Sequence, residues 1–356
     1  MKKSGCEIRF FDGEFNWLGR RADASSVQFR ADIFGGGSFE IHLGLGAGEE
    51  ISETAGCGNL VIINGDETRS GVITSVQIKS AGSEVVLSGV SCARYILSRR
   101  VILPIAEKIT APAESMIRRL LEENLTNPSD ERRRIELETG ENLARGAEVT
   151  RSFRYQNLYT EIRSIAEEAG LGFRIRPDVA RREWRFEITD GTDRTLTQGS
   201  NPPVVFSTDY KNILSYTYTQ DLEHTAGTVY AAGLGSGVYV AGEDIRGLNR
   251  SEAYISSAVS GEELKKLAEA ELSVKQPRNA LEASVAWDRV FRYGDDYKLG
   301  DWVTVFVRPL GVYLNTRVTA MYEVYESNFG DGSGYALELT FGDKSPGLIE
   351  RLLAGR

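Results

Sequence analysis

From Glu7 to Leu103 the chain reads as almost continuous β-strand interrupted by short turn chemistries, and no other feature restricts the fold as much. Phe39, Ile41, Leu43 and Leu45 alternate with Glu40, His42 and Gly44, a period of two that gives one buried face and one wet face. His42 is thereby placed outward, beside Glu40. Residues 8–11 and 14–17 flank Asp12-Gly13, which predicts a two-residue hairpin turn. Further strands are predicted at 60–63, 72–78 and 85–90, separated by Asn64-Gly65-Asp66 and Ala81-Gly82-Ser83. A last strand, 95–103, runs to Pro104. The expectation is an all-β module over residues 1–104, a small barrel or a sandwich.

The period then changes. Met116, Ile117, Leu120 and Leu121 recur at helical spacing between Pro112 and Asn124, with Pro112 expected in the first turn, where its missing N–H costs nothing. Leu158, Ile162, Ile165, Ala166 and Ala169 mark a second helix, with Asn157 as N-cap and Gly170 placed to end it. Strands are predicted at 134–138, 172–176 and 184–189, so residues 105–203 read as a mixed α+β domain closed by Ser200-Asn201-Pro202-Pro203. β-Structure returns over 204–356, including a four-strand meander at 281–287, 302–307, 316–325 and 335–341. One helix interrupts it near 261–275, where Ser260 and Glu263 have capping-box spacing.

A chain of 356 residues is too long for one ordinary core and implies two to four compact units. The predicted class is α+β and predominantly β: two β-barrel-like domains, an inserted α+β domain, and one further helix in the C-terminal half. Its 37 glycines suit many tight turns. Cys6, Cys57 and Cys92 are odd in number and form no CxxC pair, which argues against a disulfide framework or a zinc site. Two lysines at the start have no apolar run behind them, and no window has the length and apolarity of a membrane span. The expectation is a chain without signal peptide or membrane anchor.

The formal charge of −9 opposes a whole-surface attraction to nucleic acid or anionic lipid. It is unevenly spread: residues 94–186 hold 18 basic residues, 17 of them Arg, and 15 acidic ones, which leaves −12 elsewhere. An Arg-rich segment of mixed sign implies ion pairs on solvated faces, or a protein partner held through arginine forks.

Local signatures of catalysis are weak. The two histidines, His42 and His224, have no partner at motif spacing. Gly233-Leu234-Gly235-Ser236-Gly237 follows a strand pattern but precedes another, so no helix N-terminus is there to hold a phosphate. Acidic turns at Asp66, 190–193, 294–296 and 330–332 lack the spacing of a calcium loop. Some carboxylate pair will always lie at glycosidase distance among 51 acids, and Tyr216, Tyr218, Tyr322 and Tyr325 could form a carbohydrate platform or simply pack across strands. No catalytic, metal or cofactor-binding residues are predicted.

A series of short segments, taken in order, carries a resemblance. They are Leu97-Ser98-Arg99-Arg100-Val101-Ile102-Leu103-Pro104, Asp190-Gly191-Thr192-Asp193-Arg194-Thr195, Val205-Phe206-Ser207, Asn212-Ile213-Leu214, Tyr218-Thr219-Gln220-Asp221 and Gly233-Leu234-Gly235. Tyr297-Lys298-Leu299-Gly300-Asp301-Trp302-Val303-Thr304-Val305 and Leu339-Thr340-Phe341-Gly342-Asp343 complete the series. The succession resembles phage and prophage tail proteins of the siphovirus hub type, similar in fold to the trimeric baseplate hub of contractile tails and related injection machines.

That resemblance implies a homotrimer in which two barrel-like domains per subunit form a pseudo-hexameric ring continuing the tail tube. Its implied partners are the tail-tube protein and tail-tip or spike proteins, with DNA only as cargo. The implied location is the virion tail, assembled in the bacterial cytoplasm. Arg99, Arg100, Pro104, Asp190, Gly191, Asp193, Arg194, Phe206, Gly233, Gly235, Leu299, Gly300, Asp301, Phe341 and Gly342 would be structural motif positions. Some relatives continue into a wall-degrading domain, whereas this chain stops at Arg356, so no enzyme activity is expected. A tail-associated cell-wall hydrolase using a carboxylate pair, or a carbohydrate- or receptor-binding module, stands as the alternative.

Overall fold

The period-two stretch becomes one half of a long antiparallel sheet in the computed structural model, which describes residues 6–45, 54–79, 84–105, 107–222, 225–235, 238–242, 245–275, 278–287, 290–326 and 334–342. Phe39, Ile41 and Leu43 form the buried row of strand Gly37–Gly44, while Glu40 and His42 face outward. The fold is α+β and mostly β, and it divides into two compact units, one drawing on residues up to Tyr216 and on Ala283–Phe341, the other on Thr217–Glu282.

In the first unit nine strands follow the order Tyr335–Gly342, Val312–Glu326, Ser26–Asp32, Gly37–Gly44, Glu84–Ser91, Asp66–Lys79, Leu60–Ile63, Ile8–Phe11 and Trp17–Arg21. The two ends of the chain thus share one sheet, with Tyr322 opposite Arg30 and Val324 opposite Gln28. Trp302–Val307 adds to Val312–Glu326 antiparallel and to Val205–Ser207 parallel. Of the predicted meander, antiparallel neighbours therefore include 302–307 with 312–326 and 312–326 with 335–342.

Local chemistry accounts for several elements. Asn64 and Gly65 both take positive φ, 52° and 69°, which matches the right-handed twist of the strands they join and pairs Ile63 with Asp66. Phe39 lies across from Gly89, where a Cβ would overlap the Phe39 ring and the Val72 carbonyl. Helix α1 (Cys92–Leu97) is capped by Ser91, whose Oγ accepts from Arg94 N at 3.2 Å. Helix α2 (Ala113–Leu121) buries Met116, Ile117, Leu120 and Leu121 completely, each worth about 1.5–3 kcal/mol of burial. Helix α3 (Leu158–Glu168) has the expected Asn157 cap, accepting from Thr160 N at 3.2 Å, and Gly170 follows its last turn.

One apolar core joins Phe11, Leu60, Ile62 and Val72 of the N-terminal strands to α1–α3 and to Phe173, Ile175 and Phe186 of the hairpin Gly172–Asp178/Glu183–Thr189. The middle segment is therefore seated on the underside of the first strands.

Four local expectations in the first unit are corrected. Asp12-Gly13 is not a two-residue turn: five residues connect the strands, the Asp12 Oδ1 accepts from the amides of Glu14 and Asn16 at 2.9 and 2.8 Å, and Phe15 takes φ 62° to bury its ring against Trp184. The segment 95–103 is not a strand, because the Ser91 cap and the burial of Cys92, Ala93 and Leu97 favour a helical turn. Beyond it, Ile102 exchanges backbone bonds with Tyr155 and Gln156 and Arg100 O accepts from Leu158 N, an isolated bridge and not a strand. Of 134–138 only Leu137–Glu138 pairs as a strand. Pro112 ends strand Ile109–Pro112 and precedes α2 by one position.

The second unit is a three-stranded sheet, Val238–Gly242, Thr228–Ala232 and Glu252–Ser256, with helix α4 (Glu262–Val274) on one face. Val229, Ala231 and Ala241 meet Leu264 and Ala268 in its core. The Ser260/Glu263 capping box does not form: Gly261 occupies the cap and no side chain caps the helix.

Candidate functional site

Two of the sequence segments singled out above, 190–194 and 299–302, fold against each other. Trp302 N donates to Thr192 O at 3.0 Å and Arg194 N donates to Trp302 O at 2.8 Å, a short parallel bridge between the 190–194 loop and the first residue of strand Trp302–Val307. Asp301, 5% exposed, closes it: Oδ1 accepts from Thr192 N at 3.0 Å, and Oδ2 accepts from Arg194 Nε at 3.1 Å and Lys298 N at 3.0 Å. Gly191 has φ 80°, and a Cβ there would overlap the Gly300 carbonyl, so both the backbone conformation and the close approach require glycine. Asp193 caps its own turn, accepting from Thr195 N at 2.9 Å, and Trp302 Nε1 reaches Asp190 O at 3.3 Å.

Arg317 lies beneath this clasp. Its guanidinium donates only to carbonyls, Gly300 O at 2.7 Å, Gly170 O at 2.6 Å and Thr189 O at 3.2 Å. Burial lowers its pKa, and Asp190 and Asp301 only partly offset that. The arrangement ties helix α3's end, the 190–194 loop and the C-terminal strands at one point, a structural task and not a proton-transfer one.

A second buried network was missed from sequence. Glu323 is fully buried and accepts from Arg69 Nε at 2.6 Å, Arg69 Nη2 at 2.9 Å and Tyr335 Oη at 2.5 Å. Arg69 also pairs with Asp66 and lies 5.3 Å over the Tyr293 ring. Burial pushes the Tyr293 phenol up to about 12 and raises Tyr325 and Tyr335 further, with the Glu323 charge adding to it. The signal was available: Met321, Glu323 and Tyr325 share the buried parity of their strand, so a carboxylate there needed a cation.

The other motif positions do not join the clasp. The Phe206 and Phe341 rings pack tilted with centroids 5.1 Å apart, and the Tyr297 ring meets Phe206 edge-on at 5.2 Å. Leu299 adjoins the clasp in sequence and is half-buried, and Gly342 ends the last described strand. Arg99, Arg100 and Pro104 sit on the connection after α1, where Arg99 lies 4.0 Å over the Tyr95 ring. Gly233 and Gly235 belong to the connection between strands Thr228–Ala232 and Val238–Gly242, and a Cβ on Gly233 would overlap Val259 O.

His42 Nδ1 contacts Glu84 at 2.8 Å and Nε2 contacts Glu40 at 2.9 Å. Burial opposes its charge, but these bonds win and raise its pKa. His224 and the turns 81–83 and 330–332 lie outside the described residues. Tyr322 donates to Gln28 at 2.7 Å and Tyr325 is buried against Tyr335, so neither is part of an exposed platform. Among the described residues no group of three or more His, Cys, Asp or Glu is placed to hold a metal, and no helix is long and apolar enough to cross a membrane.

Comparison with known proteins decides the family. The family model of the siphovirus ReqiPepy6 Gp37-like protein matches residues 7–343. The chain belongs to this family. Among solved structures, this Gp37-like chain is similar to a tail protein from Neisseria meningitidis MC58, with TM-score 0.62, 16% identity and coverage of 96% of this chain and 97% of that one. It is similar to the 43 kDa tail protein of prophage MuSo2 from Shewanella oneidensis, with TM-score 0.64, 10% identity, and 94% and 97% coverage. A chain of the Francisella PdpA-VgrG complex matches with TM-score 0.53 and 9% identity over 95% of this chain and 52% of that one. No curated protein sequence matches this Gp37-like chain. The fold is thus the one found in solved prophage tail proteins.

Proposed function

We propose that the chain is a structural component of a phage or prophage tail, a hub or tail-tip protein that assembles as a homotrimer. Its β-rich ends, residues 1–104 and 204–356, form a pseudo-hexameric ring that continues the tail tube and meets the tip or spike, and 105–203 forms the outward part. The observation that carries this reading is the end-to-end match in fold to prophage tail proteins, over at least 94% of each chain. The sheet shared by strands Ser26–Asp32 and Val312–Glu326 supports it, since both ends then build one wall.

The mechanism is geometric. Strands enclose a pore, and the −12 carried outside residues 94–186 disfavours phosphate contacts, so DNA passes without sticking. Partners are the tail-tube protein and tip or spike proteins, in the virion tail and, during assembly, in the bacterial cytoplasm. The role is non-enzymatic in this reading, which the engagement of Asp301, Glu323 and Arg317 in structural bonds supports.

Light scattering of the full chain tests it, followed by electron microscopy with the tail-tube protein. A mass three times 39.3 kDa and rings on the tube end are expected. A monomer at every concentration, with no ring alongside tube protein, overturns it.

A further inference from the structure

The sheet of the second unit is apolar on both faces. Val229, Ala231 and Ala241 face helix α4, where Leu264 and Ala268 cover them. The residues between them carry the opposite face: Tyr230 of the central strand lies across from Val240 on one side and Tyr254 on the other, and Ala232 lies across from Val238 and Ser256. This second row is open, with Tyr254 68% exposed, Val238 60% and Val240 49%. Strands Thr228–Ala232 and Glu252–Ser256 run parallel, and parallel strands are ordinarily covered on both faces. An exposed apolar face on such a pair marks a place where something binds.

A polar cluster borders the row. Glu252 shares the face of Tyr254, two positions along the same strand. Arg250 Nε donates to Glu252 Oε1 at 2.5 Å, Nη2 to Tyr230 Oη at 3.0 Å and Nη1 to Ile245 O at 3.0 Å. Tyr230 Oη donates in turn to Glu252 Oε1 at 3.3 Å. Three of the five N–H donors of a guanidinium are thereby used, which leaves two, and Glu252 Oε2 is left as an acceptor. One positive and one negative charge offset each other, so the cluster presents donors and an acceptor without net charge.

Size and chemistry together select the occupant. Three strands of five residues, spaced ~4.8 Å apart and rising ~3.3 Å per residue, span roughly 10 by 16 Å. That is about 200 Å² at most, whereas a stable protein partner needs about 800 Å² on each side. A purely apolar molecule would lie half in water on so flat a face and leave the polar border unmatched. An anion or a nucleic acid finds no net positive charge there. A pyranose ring is apolar across its C–H face and hydroxylated around its edge, which matches an aromatic and aliphatic row bordered by Arg250 and Glu252. We propose that the outer sheet face of the second unit binds a neutral glycan, with a sugar ring lying on Tyr254 and its hydroxyls bonded to Arg250 and Glu252. The face belongs to a single chain and requires no assembly of subunits.

The test titrates the full chain by calorimetry with three neutral probes, cellotriose, maltotriose and the trimer of N-acetylglucosamine. At least one is expected to bind. Tyr254→Ala should weaken that binding roughly tenfold or more, or about 1.4 kcal/mol, while Tyr254→Phe, which keeps the ring, should stay within about twofold of the parent. Glu252→Ala should weaken it by roughly fivefold. Tyr313→Ala removes a ring of similar exposure, 65%, from the first unit and should leave binding unchanged. The Tyr254 ring is exposed, so its variants should melt with the parent. No heat from any of the three probes overturns the proposal, as does unchanged affinity in Tyr254→Ala. A fall in solution mass on Tyr254→Ala without loss of sugar binding would make the face a contact between copies of the chain and overturn it equally.

Discussion

Asp301 and Arg194 meet at 3.1 Å across 107 residues of sequence, and the same carboxylate holds the amides of Thr192 and Lys298. One buried side chain therefore fastens the 190–194 loop to the turn that leads into strand Trp302–Val307, alongside the short backbone bridge between them. Replacing it by alanine leaves two amides and a guanidinium without their acceptor. Asp301→Ala is expected to lower stability by about 3–5 kcal/mol, and Asp301→Asn by less, as measured by urea unfolding.

Gly191 faces the Gly300 carbonyl at a positive φ of 80°. Gly191→Ala combines backbone strain with a clash against main chain that cannot swing away. A loss of about 2–3 kcal/mol is expected, compared with less than about 0.5 kcal/mol for alanine at the exposed Gly13, where a Cβ meets nothing within 4 Å. Equal melting temperatures for the two variants would contradict the account.

Glu323 and Arg69 form a buried ion pair, 254 residues apart in sequence. Removing one partner strands a buried charge, so Arg69→Met or Glu323→Leu alone should cost about 3–5 kcal/mol. The double variant should recover a large part of that loss. A double-mutant cycle in chemical denaturation measures the coupling, and strict additivity of the two single losses would show that the pair does not act as one unit.

Stability should fall in acid partly through Glu114. Burial opposes its charge, yet Arg145 and Arg118 bond it and lower its pKa from 4.5 to about 2. A carboxylate depressed in the folded state contributes stability above the unfolded value and loses it as pH drops through the folded one. The loss is therefore expected between about pH 4.5 and 2, on the order of 3 kcal/mol at most, and Glu114→Gln should flatten that part of the curve.

His42 acts in the opposite sense. Its pKa is raised by Glu84 and Glu40 against burial, so its contribution is full below the ordinary imidazole value of 6.5 and fades as pH rises through the folded value. In His42→Gln the decline of stability above pH 6.5 should become shallower, in unfolding curves taken at stepped pH.

Much of the fold was legible in short range. The Asn157 cap, the Asn64-Gly65 turn and the outward side of His42 depend only on residues nearby in sequence, because capping bonds, φ preferences and the strand period of two act locally. The local errors have equally local causes: Asp12 organises a longer loop through its carboxylate, and Ser91 starts a helix where apolar residues alone looked like strand.

The candidate site was legible only in pieces. Asp190-Gly191-Thr192-Asp193-Arg194 and Leu299-Gly300-Asp301 stood out as separate segments, but nothing in either names the other as its partner. Arg69 and Glu323 drew no notice at all, since a charge on a strand is ordinary until its face is known to be buried.

By itself, then, the sequence determined many of the strands, the Asn157 helix cap and the Asn64-Gly65 turn, all properties of residues within a few positions of one another. The tertiary structure decided that the N- and C-terminal strands share a sheet, that Asp301 meets Arg194, and that Glu323 meets Arg69. The physical reason is that charge pairing and burial depend on distance in space, and the chain brings distant residues together only when its apolar faces pack.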